Sequence, residues 1–382
     1  MNSVRARPHY VFLLVLVLHS CHVAKGNQIG PIKEALFLGT DIGNATQKDC
    51  IYRRGSDRDS CPDPDVKLIM YTKHEDVIKK STVDIFRSDW LRTSSWNSSK
   101  SNVVLIHGYA GGDDTLPIVV LRDAYIMTDR YNVFMVDWGA LCKPPCYVAA
   151  VHNVRPVAKC LAEALSSLRD AGLPVDTDLD CVGHSLGAHI CGVMSNFLLF
   201  RLHRIIGLDP ARPLIKSGNA HRLDAGDARS VQVVHTNAGK YGETGRVGHV
   251  DFCVNGGRTQ PYCSNATNED LCSHIWSLCY MAQSLYHEGP DYQAEPCSRR
   301  CPAGLRPSDP IMGPPISMGE KTPLDAYGSY CLKDQLQPFC PTETGAHGDL
   351  RCCIKPKKQN SKQRPQRRRL MRSGVGIFDL LN

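Results

Sequence analysis

The chain has 382 residues, 42% of them hydrophobic and 22% charged, with a formal charge of +7 at neutral pH. That length and apolar content suffice for one sizeable catalytic domain with appendages and exclude a chain disordered throughout. Nine Lys and Arg residues and no acid lie between Lys355 and Arg372, which leaves −2 for everything else. The basicity therefore belongs to a tail, and nucleic-acid binding is excluded as a reading of the whole chain.

Arg5 and Arg7 precede an apolar run from Tyr10 to Leu18, and Ala24-Lys25-Gly26 offers small residues for cleavage, so residues 1–26 read as a signal peptide. The run is far shorter than the roughly 20 residues that span a bilayer, and no later stretch reaches that length. A secreted, extracellular protein is expected. Eighteen cysteines fit an oxidising compartment, and removing Cys21 with the signal leaves an odd number and hence at least one free or intermolecular thiol. Cys181 and Cys191, on apolar elements, are the expected buried free thiols. Loose spacings such as Cys297-x3-Cys301 lack the partner set of a zinc site. Sequons at Asn44, Asn97 and Asn265 offer glycosylation sites in a secreted chain.

Residues 27–60 form an N-terminal segment. From about Val66 to His287, short runs rich in Val and Ile alternate with helical patterns. Strands are predicted at Asn102–Ile106, Asn132–Val136, Leu179–Val182, Arg204–Leu208 and Ser230–His235. Between the second and third of these, Val151, Val154, Val157, Leu161, Leu165 and Leu168 recur at three- and four-residue steps, one face of an amphipathic helix. This alternation predicts an α/β fold, a mostly parallel central sheet with helices on both faces. After about Gly289 the composition turns to Pro, Gly and Cys, ending in a Cys-containing extension at 340–354. Residues 355–382 form the basic tail, too polar to fold alone.

Gly183-His184-Ser185-Leu186-Gly187 lies between an apolar strand and a helical segment, Ala188 to Leu199. G-x-S-x-G in that context marks a sharp elbow that exposes a nucleophilic serine, with glycines where side chains would collide. The helix N-terminus behind it favours negative charge on a tetrahedral intermediate. Asp209, closing the next strand before Pro210, is placed to orient an imidazole. His221, His235, His249, His274, His287 and His347 are all candidate bases, and His274 is preferred because the adjacent Cys272 could fix the loop presenting it. Flanking histidines His184 and His189 read as structural. An oxyanion site needs two backbone amides. Leu186, after the nucleophile, and Tyr109, after the buried strand Val103–Ile106 and His107-Gly108, are the candidates.

Together with Val136-Asp137-Trp138, Gly207-Leu208-Asp209-Pro210-Ala211, Asn255-Gly256-Gly257 and Cys272-Ser273-His274, these motifs run in order from about Cys61 to Phe339. The chain thus resembles the pancreatic-lipase-like family of secreted animal lipases and phospholipases A1. The resemblance implies an α/β-hydrolase catalytic domain at 61–339, with Ser185, Asp209 and His274 as triad, Tyr109 and Leu186 as oxyanion donors, and hydrolysis of glycerolipid esters without a required cofactor. It also implies a structural calcium held by Asp224, Asp227 and the carbonyls of Arg222 and Asn219. Asn219 stands where relatives often carry an acid. Relatives with a C-terminal β-sandwich domain devote more than a hundred residues to it; none is expected here, nor is a colipase-type partner.

In this family a disulfide-closed lid precedes the catalytic histidine. Cys263 and Cys272 match its ends and enclose only eight mostly polar residues, resembling the short-lid phospholipases A1 of insect venoms. The expected substrate is a phospholipid or other glycerolipid at a membrane or lipid-particle surface, with the tail on anionic surfaces. The alternatives are a triacylglycerol lipase with a reduced lid and a non-catalytic lipid-binding or storage relative, the latter disfavoured by the complete triad.

Overall fold

Each predicted central strand forms where the sequence concentrates Val, Ile and Leu. A computed structural model describes residues 49–54, 61–74, 77–87, 89–115, 117–264, 266–286, 289–297, 300–302 and 313–334. The expected signal peptide, the sequons at Asn44 and Asn265, the residues from 340 onward, His287 and His347 lie outside the described residues. The strands are β1 (Lys67–His74), β2 (Val77–Thr82), β3 (Ser101–Ile106), β4 (Tyr131–Asp137), β5 (Leu179–His184), β6 (Leu202–Leu208), β7 (Ala228–His235), β8 (Val250–Val254), β9 (Gln293–Pro296), β10 (Ile316–Ser317) and β11 (Gly328–Leu332). They form one sheet in the order β10-β9-β11-β8-β7-β6-β5-β3-β4-β1-β2. From β11 to β4 every neighbouring pair is parallel. The β1–β2 hairpin and the β9–β10 pair close the two edges antiparallel.

The helices are α1 (Trp90–Thr93), α2 (Ile118–Met127), α3 (Tyr147–Asp170), α4 (Leu186–Ser195) and α5 (Glu269–Leu285). The crossover from β3 through α2 to β4 runs towards one edge, while those through α3 and α4 run towards the other. Right-handed crossovers then place α2 on one face and α3 and α4 on the opposite face. Packing agrees: α3 lies on α4, and α2 on α5. Between β3 and β5 the direction of winding reverses, and at such a switch point the loops beyond the strand ends part to leave a crevice for a ligand. The expected stripe on α3 is buried from Val154 to Leu168, although the helix starts earlier, at Tyr147, and accommodates Pro156.

Six disulfides have both partners described: Cys50–Cys146, Cys61–Cys160, Cys181–Cys191, Cys253–Cys301, Cys263–Cys272 and Cys297–Cys331. The expectation that Cys181 and Cys191 are free is thus wrong. The turn after β5 folds α4 back on its own strand, bringing the two Cα atoms to 6.0 Å. The free cysteine among the described residues is Cys142, which is buried.

Candidate active site

The chain leaves β5 at His184 and turns at once. Ser185 takes φ 57° and ψ −119°, a conformation that costs a non-glycine residue about 1–3 kcal/mol and persists only where the surroundings enforce it. Here the flanking glycines do so. A Cβ on Gly183 would lie 2.3 Å from the Gly187 carbonyl oxygen, and one on Gly187 only 2.2 Å from that of Ile106 on β3. The elbow is therefore wedged against the neighbouring strand, with Ser185 at the mouth of the crevice and the α4 N-terminus behind it.

Asp209 follows β6 and is fully buried. Its Oδ1 accepts the backbone amides of Thr236 (2.9 Å) and Asn237 (3.0 Å), and its Oδ2 lies 2.6 Å from His274 Nδ1. An ionised carboxylate only accepts, so Nδ1 carries the proton and Nε2 is left as the basic nitrogen. The structure thus pairs Asp209 with His274 among the candidate histidines. His235 instead faces Asp251 in the interior, with Nε2 3.7 Å from Oδ2, and His249 accepts the Val231 amide.

One expectation about His274 needs correcting, because it sits in the second turn of α5 and not on a loop. The Cys263–Cys272 bridge pins the start of that helix, Asn268 caps it by accepting the Leu271 amide, and the Ala266 amide turns back onto the Cys263 carbonyl. The described part of the expected lid is therefore spent on a turn and a helix cap. His184 donates to the His274 carbonyl (3.2 Å), and its ring centre lies 4.7 Å from that of His274. His189 bridges the Ala211 carbonyl and the Leu223 amide, and burial pushes its pKa down to about 4. Both histidines brace the backbone.

Gly108 lies directly on Ser185: a Cβ there would be 2.8 Å from Ser185 Cβ and 3.3 Å from its Oγ. Tyr109 follows. Among the described residues neither its amide nor that of Leu186 donates to another protein group, so the two predicted donors flank Ser185 unengaged.

The loop proposed to hold calcium is a short 3-10 turn. Asp224 Oδ1 accepts the Gly226 amide, Asp227 Oδ2 accepts the Asp224 amide, and Asp227 Oδ1 accepts the Ser195 hydroxyl. Asp224 Oδ2 is buried with no partner, and burial, with the adjacent Asp224, pushes Asp227 up to about 7. An orphaned carboxylate oxygen beside an acid reluctant to ionise suits a hard cation supplied with further backbone oxygens. Among the described residues no cluster of three His, Cys, Asp or Glu side chains could hold a metal by itself.

Sequence reasoning missed the turn that cradles Asp209. Asn237 Oδ1 accepts the Tyr241 amide, Gly242 donates to the Asn237 carbonyl, and the Tyr241 ring lies 5.6 Å from that of His274. The cluster Asn237-Ala238-Gly239-Lys240-Tyr241-Gly242 signals a tight turn, but nothing in it shows that a carboxylate lies inside.

A doubly wound parallel sheet with a strained serine between strand and helix at its switch point is an α/β-hydrolase. The Lipase family model matches residues 41–300, and the chain belongs to that family. It is 35% identical to a phospholipase A1 of the wasp Vespula squamosa over 49% of this chain and 65% of that one. It is 34% identical to mouse phospholipase A1 member A over 54% and 46% of the two chains, and 29% identical to pig pancreatic lipase-related protein 2 over 62% and 54%. These matches span less than two thirds of each relative's own length.

Proposed function

We propose that the protein is a lipase of phospholipase A1 type, which hydrolyses the sn-1 ester of phospholipids or lysophospholipids at least as well as long-chain triacylglycerol. The observation that carries the ester chemistry is the buried Asp209–His274 pair beside an elbow serine. Ser185 Oγ attacks the acyl carbonyl while His274 Nε2 takes its proton. The Tyr109 and Leu186 amides receive the oxyanion, and Asp209 stabilises the imidazolium. His274 then protonates the departing glycerol oxygen, and water releases the acyl group by the same steps in reverse. The phospholipid preference is supported by the eight-residue interval between Cys263 and Cys272, too short and polar to roof a trough for three acyl chains, and by the names of the wasp and mouse relatives.

Asp224, Asp227 and the Arg222 carbonyl would hold a calcium ion that braces the loop behind α4 and takes no part in the reaction. Secretion is supported by the disulfides and the N-terminal signal pattern; among the described residues no helix is long and apolar enough to cross a membrane. The basic tail would hold the protein on anionic surfaces, each cation near such a membrane contributing roughly 1 kcal/mol at low salt.

The test is turnover of the secreted protein on phosphatidylcholine against triolein, with the released acyl position resolved. Release from sn-1 of phosphatidylcholine at a rate matching or exceeding that on triolein is expected. Activity confined to triacylglycerol, appearing only above its solubility limit, would replace this reading with that of a general lipase.

A further inference from the structure

An oxyanion site made of backbone amides works only if the peptide planes are held in the right orientation, because a donor misaimed in the ground state must reorganise during reaction. For Leu186 the helix behind it sets the plane. Tyr109 lies in a loop, and its N–H belongs to the Gly108–Tyr109 peptide, whose carbonyl and N–H point in opposite directions across a trans amide. Whatever fixes the Gly108 carbonyl therefore aims the Tyr109 amide.

Three donors converge on that carbonyl. His107 Nδ1 lies 2.8 Å away, the Gly111 amide 3.3 Å and the Cys142 thiol 3.7 Å. The His107 ring is itself held at its far side, where Nε2 lies 3.2 Å from the Trp138 backbone N–H, which can only donate. Nε2 is then the acceptor of that N–H, with the Asp137 carboxylate Oδ1 3.7 Å away, and the proton on Nδ1 is given to Gly108. Trp138 stacks on the ring at a 12° interplanar angle and donates its indole N–H to the His107 carbonyl (3.0 Å). Gly111 closes the other side, where a Cβ would lie 2.7 Å from Nδ1. His107 is 1% exposed. A buried imidazole with both nitrogens engaged, one on the peptide beside the nucleophile, does more than fill space.

We propose that His107 is a positioning residue for the oxyanion site: in its Nδ1–H form it clamps the Gly108 carbonyl away from Ser185 and so turns the Tyr109 amide towards the reacting carbonyl. The proposal rests on the esterase reading above. It concerns transition-state stabilisation and predicts a loss in kcat with KM unchanged.

The experiment compares full-length His107→Gln and His107→Asn with wild type on a soluble short-chain ester, with Tm measured alongside. An Asn amide nitrogen stands near the place of Nδ1 and can donate to Gly108; a Gln amide reaches the place of Nε2 and leaves the Gly108 carbonyl without the closest of its three donors. Gln is expected to lower kcat about 10²-fold at constant KM, as loss of one oxyanion donor does, and to slow labelling by a fluorophosphonate, whose adduct uses the same amides, to a similar extent. Asn is expected to recover at least tenfold of that loss. Equal losses in the two variants, losses that simply track Tm, or kcat within threefold of wild type in the Gln variant would each overturn the clamp. Imidazole 15N shifts of the wild-type protein decide the tautomer independently: a proton on Nδ1 is expected, and a proton on Nε2 alone refutes the geometry even if both variants fail to fold. A wild type that neither turns over ester nor takes the fluorophosphonate sinks the esterase reading, while the tautomer measurement still judges the clamp.

Discussion

Gly242 lies far from the serine motif, yet the structure makes it one of the most exacting positions of the site. A Cβ built there falls 2.5 Å from both carboxylate oxygens of Asp209 and 2.6 Å from its Cγ, about 0.9–1.0 Å inside the near edge of ordinary van der Waals contact. Asp209 cannot yield freely, because Oδ1 is held by the Thr236 and Asn237 amides and Oδ2 by His274. The turn resists as well, since Gly242 donates to the Asn237 carbonyl and accepts from Gly239. Gly242→Ala must therefore move the carboxylate off the imidazole or open the turn that positions it. Misplacement by about 1 Å costs on the order of 10² in rate, and loss of the carboxylate's hold on the correct tautomer about 10⁴. We expect kcat on a soluble short-chain ester to fall by about 10²–10⁴-fold while KM, set by contacts elsewhere, changes little. Thermal denaturation by circular dichroism checks that the variant folds. A folded Gly242→Ala protein with kcat within threefold of wild type would refute both the rigidity assigned to this turn and the role given to Asp209.

Ser185→Ala removes the nucleophile but leaves a side chain that fits the elbow, so esterase activity and fluorophosphonate labelling should vanish at unchanged Tm, whereas more than about a tenth of wild-type turnover would rule out the mechanism. Calcium at 100 times its dissociation constant should stabilise the fold by about 2.7 kcal/mol over an EDTA control; Asp224→Ala should abolish that difference in Tm, and equal Tm values with and without the ion would remove the site. His189 is buried and neutral, its pKa depressed to about 4. The unfolded chain therefore binds the extra proton between the ordinary 6.5 and 4. The stability this contributes is complete above pH 6.5 and is lost as pH falls towards 4, by up to about 3 kcal/mol. His189→Gln, which keeps a donor for the Ala211 carbonyl, should flatten the decline of Tm across that window, and an unchanged slope would contradict the assignment.

The central strands were legible because a parallel strand buried on both faces must be nearly all apolar, and Val103–Ile106, Val133–Val136 and Ile205–Leu208 are. The edges were not. β1 and β2 mix apolar residues with Thr and Lys, as a strand with one side towards water does, while β9 and β10 span four and two residues and carry no period at all. The start of α5 was hidden for a different reason. The helix opens on the acids Glu269 and Asp270 after the polar stretch 264–268, which reads as loop until its Asn268 cap and the Cys263–Cys272 bridge are seen together, and this is why His274 was expected on a loop. The disulfide partners of Cys181 and Cys191 escaped because apolar surroundings suit a free thiol as well as a bridge, and only the fold-back at Ser185 brings those two sulfurs together.

The same division runs through the site. The roles proposed for Ser185, Asp209 and His274 use side chains, and side chains leave a mark on the sequence. The groups that make them useful are largely main chain: the Thr236 and Asn237 amides on Asp209, the Tyr109 and Leu186 amides beside Ser185, the Gly108 carbonyl held by His107. Every residue but proline has an amide N–H, so a sequence reveals such groups chiefly through the glycines that clear space for them, at 108, 183, 187 and 242. The first three stand in motifs already suspected of chemistry, and each can be read as making room for the elbow. Gly242 stands in an ordinary-looking turn. Its function follows only from the distance to Asp209, a residue 33 positions earlier that β7 and its following loop bring back against it. Positions of this kind, where a missing side chain protects a distant carboxylate, are where substitutions outside the recognisable motifs should be most damaging.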